Sequence, residues 1–378
     1  MLHQPATAFA VCLASLALLA SGCTQIRRPD DPSHYRVQAD CAGVPRCHQS
    51  IQAALDAAEQ DARAGWVIVD VAPGDYREKV TIRRALTLLR GSGQSKTRLH
   101  FDAVAENSGR YHRRNWGTPG SATLTIDADQ VTVSGFTLEN TFDFLANDAL
   151  PDGHAAKLSN SQAVALLLDI HSDRVYLHEV ALLGFQDTLF ANGRRALIRR
   201  SLIAGNVDFI FGGGQLLIED SVVRSRPRAA ALPAGELESF ITAPSTQLSQ
   251  LVGIVVYRSR LEREPGVRDG AVALGRPWHP TTTFADGRYA DPDAVGQASF
   301  IDCFMDAHIS RDGWSSMNGT ARSGAKTDVF LPQDSRFFEF GSHGPGAQRK
   351  NIGIKWQEHP RIEEIRRIMF EGWPDPGH

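Results

Sequence analysis

Two short segments of this 378-residue chain carry the side chains best suited to chemistry. Gly184-Phe185-Gln186-Asp187-Thr188-Leu189-Phe190 and Gly205-Asn206-Val207-Asp208-Phe209-Ile210-Phe211 share a pattern, and Asp187 and Asp208 stand 21 residues apart. If that interval is a structural period, the two carboxyls stack on adjacent layers about 4.8 Å apart at the backbone. Carboxyls that close repel, so their pKa values separate unless a cation intervenes. One can then stay anionic as a nucleophile while the other keeps its proton as an acid. The same spacing also suits a structural ladder or two turn-forming aspartates. Spacing alone leaves both readings open.

Other chemistries find little support. No G-x-S-x-G is present, so a serine nucleophile elbow is excluded. Gly91-Ser92-Gly93-Gln94-Ser95-Lys96-Thr97 only superficially resembles a phosphate-binding loop, because both required glycines are missing. The 13 histidines show no H-E-x-x-H and no metal-ligand spacing, so neither a metal nor a cofactor is expected. With 40 Lys+Arg against 43 Asp+Glu the net charge is −3, which gives no reason to expect nucleic acid. The clusters Arg194, Arg195, Arg199, Arg200 and Arg224, Arg226, Arg228 read as solvated faces.

The elements that must position the aspartates repeat as well. From Arg174 the chain reads RVYLHEVALLG, from Arg195 RALIRRSLIAG and from Gln215 QLLIEDSVVRS. Weaker copies begin at Gln130 and Gly253, at longer intervals that imply inserted loops. A period near 21 with two short strands per unit predicts a β-solenoid, in which each turn buries its inward residues only by stacking on its neighbours. Ser50 to Gly65 has helical spacing (Ile51, Ala54, Leu55, Ala58) and would cap the open end of the stack. Pro360 to Gly372 predicts a second helix packed outside. Phe209 and Phe211, two apart on one strand, suit core and cleft equally.

The N-terminus adds a location. Ala6 to Ala20 is uncharged and suits the core of a signal peptide better than a spanning helix. It runs into Leu19-Ala20-Ser21-Gly22-Cys23, which resembles a bacterial lipoprotein processing site with Cys23 as the lipidated first residue. Thr24 follows, and the Asp that marks inner-membrane retention is absent. Residues 1–22 are thus expected to be a signal peptide, residues 23–47 a tether, and residues 48–378 the working domain. Cys41 and Cys47 lie six apart in a Gly/Pro-containing loop and suit a small disulfide in an oxidising compartment. The alternative, half a zinc site, lacks its second pair. Cys303 reads as a buried thiol.

Five segments in order resemble the pectin methylesterases (pectinesterases). They are Gly74-Asp75-Tyr76-Arg77-Glu78, Gln162-Ala163-Val164-Ala165-Leu166, Gly184 to Leu189, Asp208-Phe209-Ile210-Phe211-Gly212 and Leu274-Gly275-Arg276-Pro277-Trp278. Cys23, the Cys41/Cys47 loop and Phe240-Ile241-Thr242-Ala243-Pro244 look like the outer-membrane lipoprotein branch of that family. The resemblance implies an all-β, single-stranded right-handed parallel β-helix and a cofactor-free hydrolase of methyl-esterified galacturonan. Carried over by position, it implies Asp208 as nucleophile, Asp187 as general acid/base, and Gln162 and Gln186 as oxyanion-hole donors. It makes Arg276 the partner that keeps Asp208 ionised, with Trp278, Phe185 and Phe211 at the substrate. Each also has a structural reading: the glutamines as ladder amides, Arg276 as a salt bridge, the aromatics as core.

Three long interruptions, Thr141 to Ser161, Arg226 to Ser239 and His279 to Gln297, predict walls that narrow the cleft and favour short methylated oligomers over polymer. The expected molecule is a monomeric pectinesterase held to the outer membrane through a lipid anchor. An esterase or thioesterase for another ester, and a non-catalytic sugar-binding solenoid, are the alternatives.

Overall fold

Alternating burial along short strands is the local cause of the fold. Val67–Val71 (VIVDV) buries its three valines and turns Ile68 and Asp70 outwards. The computed structural model describes residues 32–111, 117–230, 232–233, 235–347 and 361–373. Cys23 and the predicted signal peptide lie outside the described residues.

Three strands make each coil, not two. Val175–His178 is followed by Ala181–Leu183 and Leu189–Ala191, and the next coil repeats with Arg195–Arg199, Leu202–Gly205 and Val207–Gly212. Strands in equivalent positions pair in parallel into sheets of 11, 8 and 7 strands, here the first, second and third. The coiling is a right-handed parallel β-helix. The third strand escapes a pattern search because it is short, with Gln186-Asp187 just before Leu189–Ala191 and Asp208 inside Val207–Gly212, and these polar residues break the alternation.

The corner after the first sheet shows why the coils stay in register. Glu179, Arg200, Asp220, Arg258 and Asp302 each follow a first-sheet strand and adopt left-handed φ between 46° and 53°. The hydroxyls of Ser201, Ser221 and Ser259 next accept the N–H of Val180, Ser201 and Ser221 in the coil before, at 3.1–3.2 Å. Cys303 takes the same place one coil on, its thiol donating to the Ile301 carbonyl at 3.4 Å as each serine donates to its own. Burial pushes that thiol up to about 12.

Helix α1 (Ile51–Glu59) closes the N-terminal end, with Ile51, Ala54, Leu55 and Ala58 in the core. It stops short of the expected Gly65. Ser50 caps it, and the Glu78 carboxylate accepts the N–H groups of Ile51 and Gln52 at 3.0 and 3.1 Å. Glu78 therefore has a structural task at the positive end of the helix dipole. The expected tether ends too late, because Ser33–Val37 is already a strand of the first sheet, paired with Val67–Val71. Its reason was in view: Ser33, Tyr35 and Val37 alternate inwards. Cys41 and Cys47 are disulfide-bonded beside it.

Helix α2 (Phe144–Asp148) lies inside the first long insertion. The third insertion forms an antiparallel hairpin, Thr281–Phe284 with Gly287–Ala290. Helix α3 (Ile362–Met369) lays Ile365 and Met369 on Tyr176, Leu197 and Leu217, the outer face of the first sheet. The expected start at Pro360 lies outside the described residues.

Candidate active site

Both aspartates sit in the left-handed region, Asp187 at φ 65° and Asp208 at φ 52°, a conformation that Asp tolerates better than most residues. The consequence is local. A left-handed residue interrupts the pleat, and the pairing of Val207–Gly212 with Ser239–Pro244 shifts register between Val207 and Ile210. Asp208 is thereby aimed outwards while Phe209 and Ile210, consecutive residues, both enter the core. Phe211 returns to the outer face, so the two phenylalanines that sequence could not separate part company. The glycine three residues earlier makes this possible. A Cβ on Gly184 would meet the Thr188 hydroxyl at 2.7 Å, and one on Gly205 would meet the Phe209 Cβ at 2.3 Å.

Register carries the pair together. Leu189 and Phe190 pair with Ile210 and Phe211, and the Asp187 N–H donates to the Val207 carbonyl at 3.0 Å. Arg276, just after the strand Val272–Gly275, reaches back two coils and clasps Asp208 with both arms, Nε to Oδ1 at 2.8 Å and a terminal nitrogen to Oδ2 at 2.6 Å. The Phe240 ring lies 3.8 Å under the guanidinium. Phe240 belongs to the Phe240-to-Pro244 segment, and its place beneath Arg276 leaves no local signal in the sequence. A bidentate pair of this kind holds geometry as well as charge.

Asp187 has the opposite environment. Burial, then the negative charge of Asp208, push its carboxyl well above the usual carboxylate range, with Arg276 acting against them. The two carboxyls thus differ in partner: Asp208 holds the guanidinium and Asp187 does not.

Gln186 and Val207 line a cavity of about 720 Å³ at the edge of the pair. Ser161 donates its hydroxyl to Gln186 Oε1 at 3.1 Å, a contact the sequence did not reveal. Gln162 is half-buried in the preceding coil, where the Ala163 N–H donates to the Gln186 carbonyl at 3.1 Å. Phe185 stacks on Phe144 of the first insertion at 5.4 Å, with the Arg226 guanidinium 3.9 Å from its ring. Phe211 stacks on Phe190 at 4.2 Å on the outer face of the third sheet, and Trp278 meets both edge-on at 5.6 and 6.1 Å. Phe190 and Phe211 are almost wholly covered, 6% and 4% exposed, and the half-buried Trp278 packs against them.

The remaining cavity wall comes from two insertions, through His154, Lys157 and Arg228. Arg228 is no solvated surface charge, as its cluster had suggested. It grips buried Asp148 at 2.9 and 2.6 Å, and the N–H groups of Ala229 and Ala230 donate to the same carboxylate at 2.9 Å. Arg199 likewise pairs with buried Glu219 at 2.9 Å. The hairpin of the third insertion is not among the residues lining this cavity. Among the described residues no group of three or more His, Cys, Asp or Glu is placed to hold a metal ion.

Residues 37–369 match the family model described as Pectinesterase. Pectinesterase A of Dickeya chrysanthemi is 42% identical over 281 residues, 74% of this chain and 75% of that protein. A pectin methylesterase structure from Erwinia chrysanthemi superposes with TM-score 0.81 at 35% identity, covering 91% of this chain and 98% of that one. A pectin methylesterase solved in complex with a hexasaccharide gives TM-score 0.80 at 35% identity, with the same coverage.

Proposed function

The chain belongs to the pectinesterase family, and from that footing we propose how its own residues remove methyl groups from methyl-esterified galacturonan. The activity itself, hydrolysis of pectin methyl esters to carboxylate and methanol, is that of the family.

Asp208 is the nucleophile. One Oδ adds to the ester carbonyl carbon, and the carbonyl π electrons move onto oxygen. Amide N–H groups of Gln186 and Gln162 donate to that oxyanion. Collapse breaks the bond to methoxide, which leaves as methanol with the proton of Asp187. Asp187, now a carboxylate, takes a proton from water; the hydroxide adds to the acyl carbon and Asp208 departs. The product leaves as a galacturonic acid group, which gives its proton to solvent to become galacturonate, and the starting enzyme, with Asp187 protonated and Asp208 a carboxylate, remains. The observation that carries the assignment is the asymmetry of the pair. Arg276 stands on Asp208 alone, and Asp187 is buried where its neutral form is favoured. Trp278 and Phe185, both half-buried, supply apolar surface for sugar rings, and Phe211 supports Trp278 from the side.

Asp208→Asn keeps the shape and tolerates the left-handed backbone but cannot form the acyl bond. Methanol release is expected to vanish while circular dichroism keeps the parent's shape, with melting lowered because Arg276 loses its charged partner. Near-normal turnover would overturn the assignment.

Location belongs to the same proposal. The Leu19-to-Cys23 segment supports export and lipidation at Cys23, with the enzyme held on the outer membrane of the bacterial envelope. Radiolabelled palmitate should enter the parent protein and not Cys23→Ala; a parent that stays unlabelled would remove the anchor.

A further inference from the structure

We propose that Ser161 is a positioning residue for Gln186: its hydroxyl holds the amide in the orientation that turns the NH₂ towards the ester. This rests on the reading of Gln186 as an oxyanion donor. A glutamine amide has a donor end and an acceptor end of nearly equal shape, and only the NH₂ end can stabilise a developing oxyanion. Rotated by half a turn, the same side chain would present its oxygen and repel the charge it should bind. Something must therefore select the rotamer.

Ser161 Oγ stands 3.1 Å from Gln186 Oε1 and donates to it. That bond occupies the acceptor end and leaves the NH₂ for the cavity that Gln186 lines together with Ser161. The charge pattern favours the same choice. The Asp208 carboxylate, clasped by Arg276 in the neighbouring coil, attracts an amide N–H and repels an amide oxygen.

The hydroxyl also stands on a fixed base. The Glu106 N–H donates to the Asn160 carbonyl at 3.1 Å, and the Ala105 N–H to the Gln162 carbonyl at 2.9 Å. Asn160 returns its own N–H to the Glu106 carboxylate at 3.0 Å. Both neighbours of Ser161 are thus tied to one short segment, and Ser161 itself is 9% exposed. A donor held that firmly costs little to keep in place during turnover.

A double-mutant cycle tests the assignment: the parent, Ser161→Ala, Gln186→Ala and the double variant, with kcat and KM measured on methylated oligogalacturonides. Gln186→Ala is expected to lower kcat on the order of 100-fold. Ser161→Ala should lower kcat about tenfold with KM within about twofold, because the contact sets the amide's orientation and not ground-state binding. In the Gln186→Ala background the serine substitution should cost nothing further. Ser161→Thr, which keeps the hydroxyl, should recover most of the turnover. A parent-like kcat for Ser161→Ala, or a loss repeated in full without Gln186, would overturn the inference and leave the catalytic reading standing. If Gln186→Ala itself keeps full turnover, the reading of Gln186 falls and this inference falls with it.

Discussion

Asp187 shows what the site costs the fold. Its carboxyl is held neutral by burial and by the charge of Asp208, so it ionises at higher pH in the folded chain than in the unfolded one. Where the folded state binds more protons, stability falls as pH rises. The loss therefore begins near pH 4, the ordinary carboxylate value, and accumulates until the folded carboxyl itself ionises. Asp187→Asn removes the titration, keeps the shape and suits the left-handed backbone. The variant should be inactive yet more stable than the parent at pH 7, with the difference closing at pH 3.5. Urea unfolding at the two pH values measures this; an equal difference at both would show that the carboxyl is not held neutral at the expense of the fold. The same displacement sets the activity profile, because departing methoxide needs a protonated Asp187. Turnover should fail on the alkaline side as that proton is lost.

Elements, more than single residues, decide what surrounds the pair, and here legibility in the sequence was uneven. The coil repeat was readable because every turn buries the same inward positions, and the repeat alone brings Asp187 beside Asp208. The Phe209/Phe211 choice was not, since it depends on a left-handed residue that breaks the period-2 rule. Contacts between distant loops leave no periodic trace. Asp148 and Arg228 are 80 positions apart, yet their bond fastens the α2 loop to the loop after Ser225. Within its own loop α2 is already held, because Asn147 exchanges hydrogen bonds with both backbone groups of Leu158 at 2.7 and 3.1 Å. Asp148→Ala should therefore loosen the junction between two intact loops and leave the coils beneath untouched. Losing a carboxylate that is only 6% exposed leaves Arg228 and two N–H groups unsatisfied, a cost on the order of 2 kcal/mol. The expected signs are faster proteolysis within residues 226–239 and a several-fold higher KM for oligomers with kcat largely kept. An unchanged KM would show that the junction does not shape the cleft.

At the scale of the whole molecule the solenoid offers a long outer face and the insertions decide how much of it a substrate can use. Thr81, Thr125, Leu167, Phe190, Phe211 and Ala243 stand in one register column along the third sheet, apolar in the middle and hydroxyl-bearing towards α1. A parallel β-helix has no lid of its own, so only loops can limit a polymer on that face. Residues of the Thr141-to-Ser161 and Arg226-to-Ser239 insertions wall the cavity that Gln186 lines, joined by the Asp148–Arg228 bond. The third insertion is engaged elsewhere: His279 stacks on Phe330 at 3.5 Å and the Thr281 hydroxyl bonds that of Thr320 at 2.7 Å. Size selection should accordingly reside in the first two. Methanol release per ester is expected to be faster from methylated trimers to hexamers than from long pectin. Replacing residues 145–157 by a short glycine-serine turn should raise the rate on polymer more than on oligomers, because it removes one wall and leaves Ser161, Gln186 and the aspartates in place. Trimming the hairpin between Thr281 and Ala290 should leave the ratio of the two rates unchanged. A parent enzyme that already treats polymer as well as hexamers, or a hairpin deletion that shifts the ratio as much as the loop replacement, would place the control of length somewhere other than these walls.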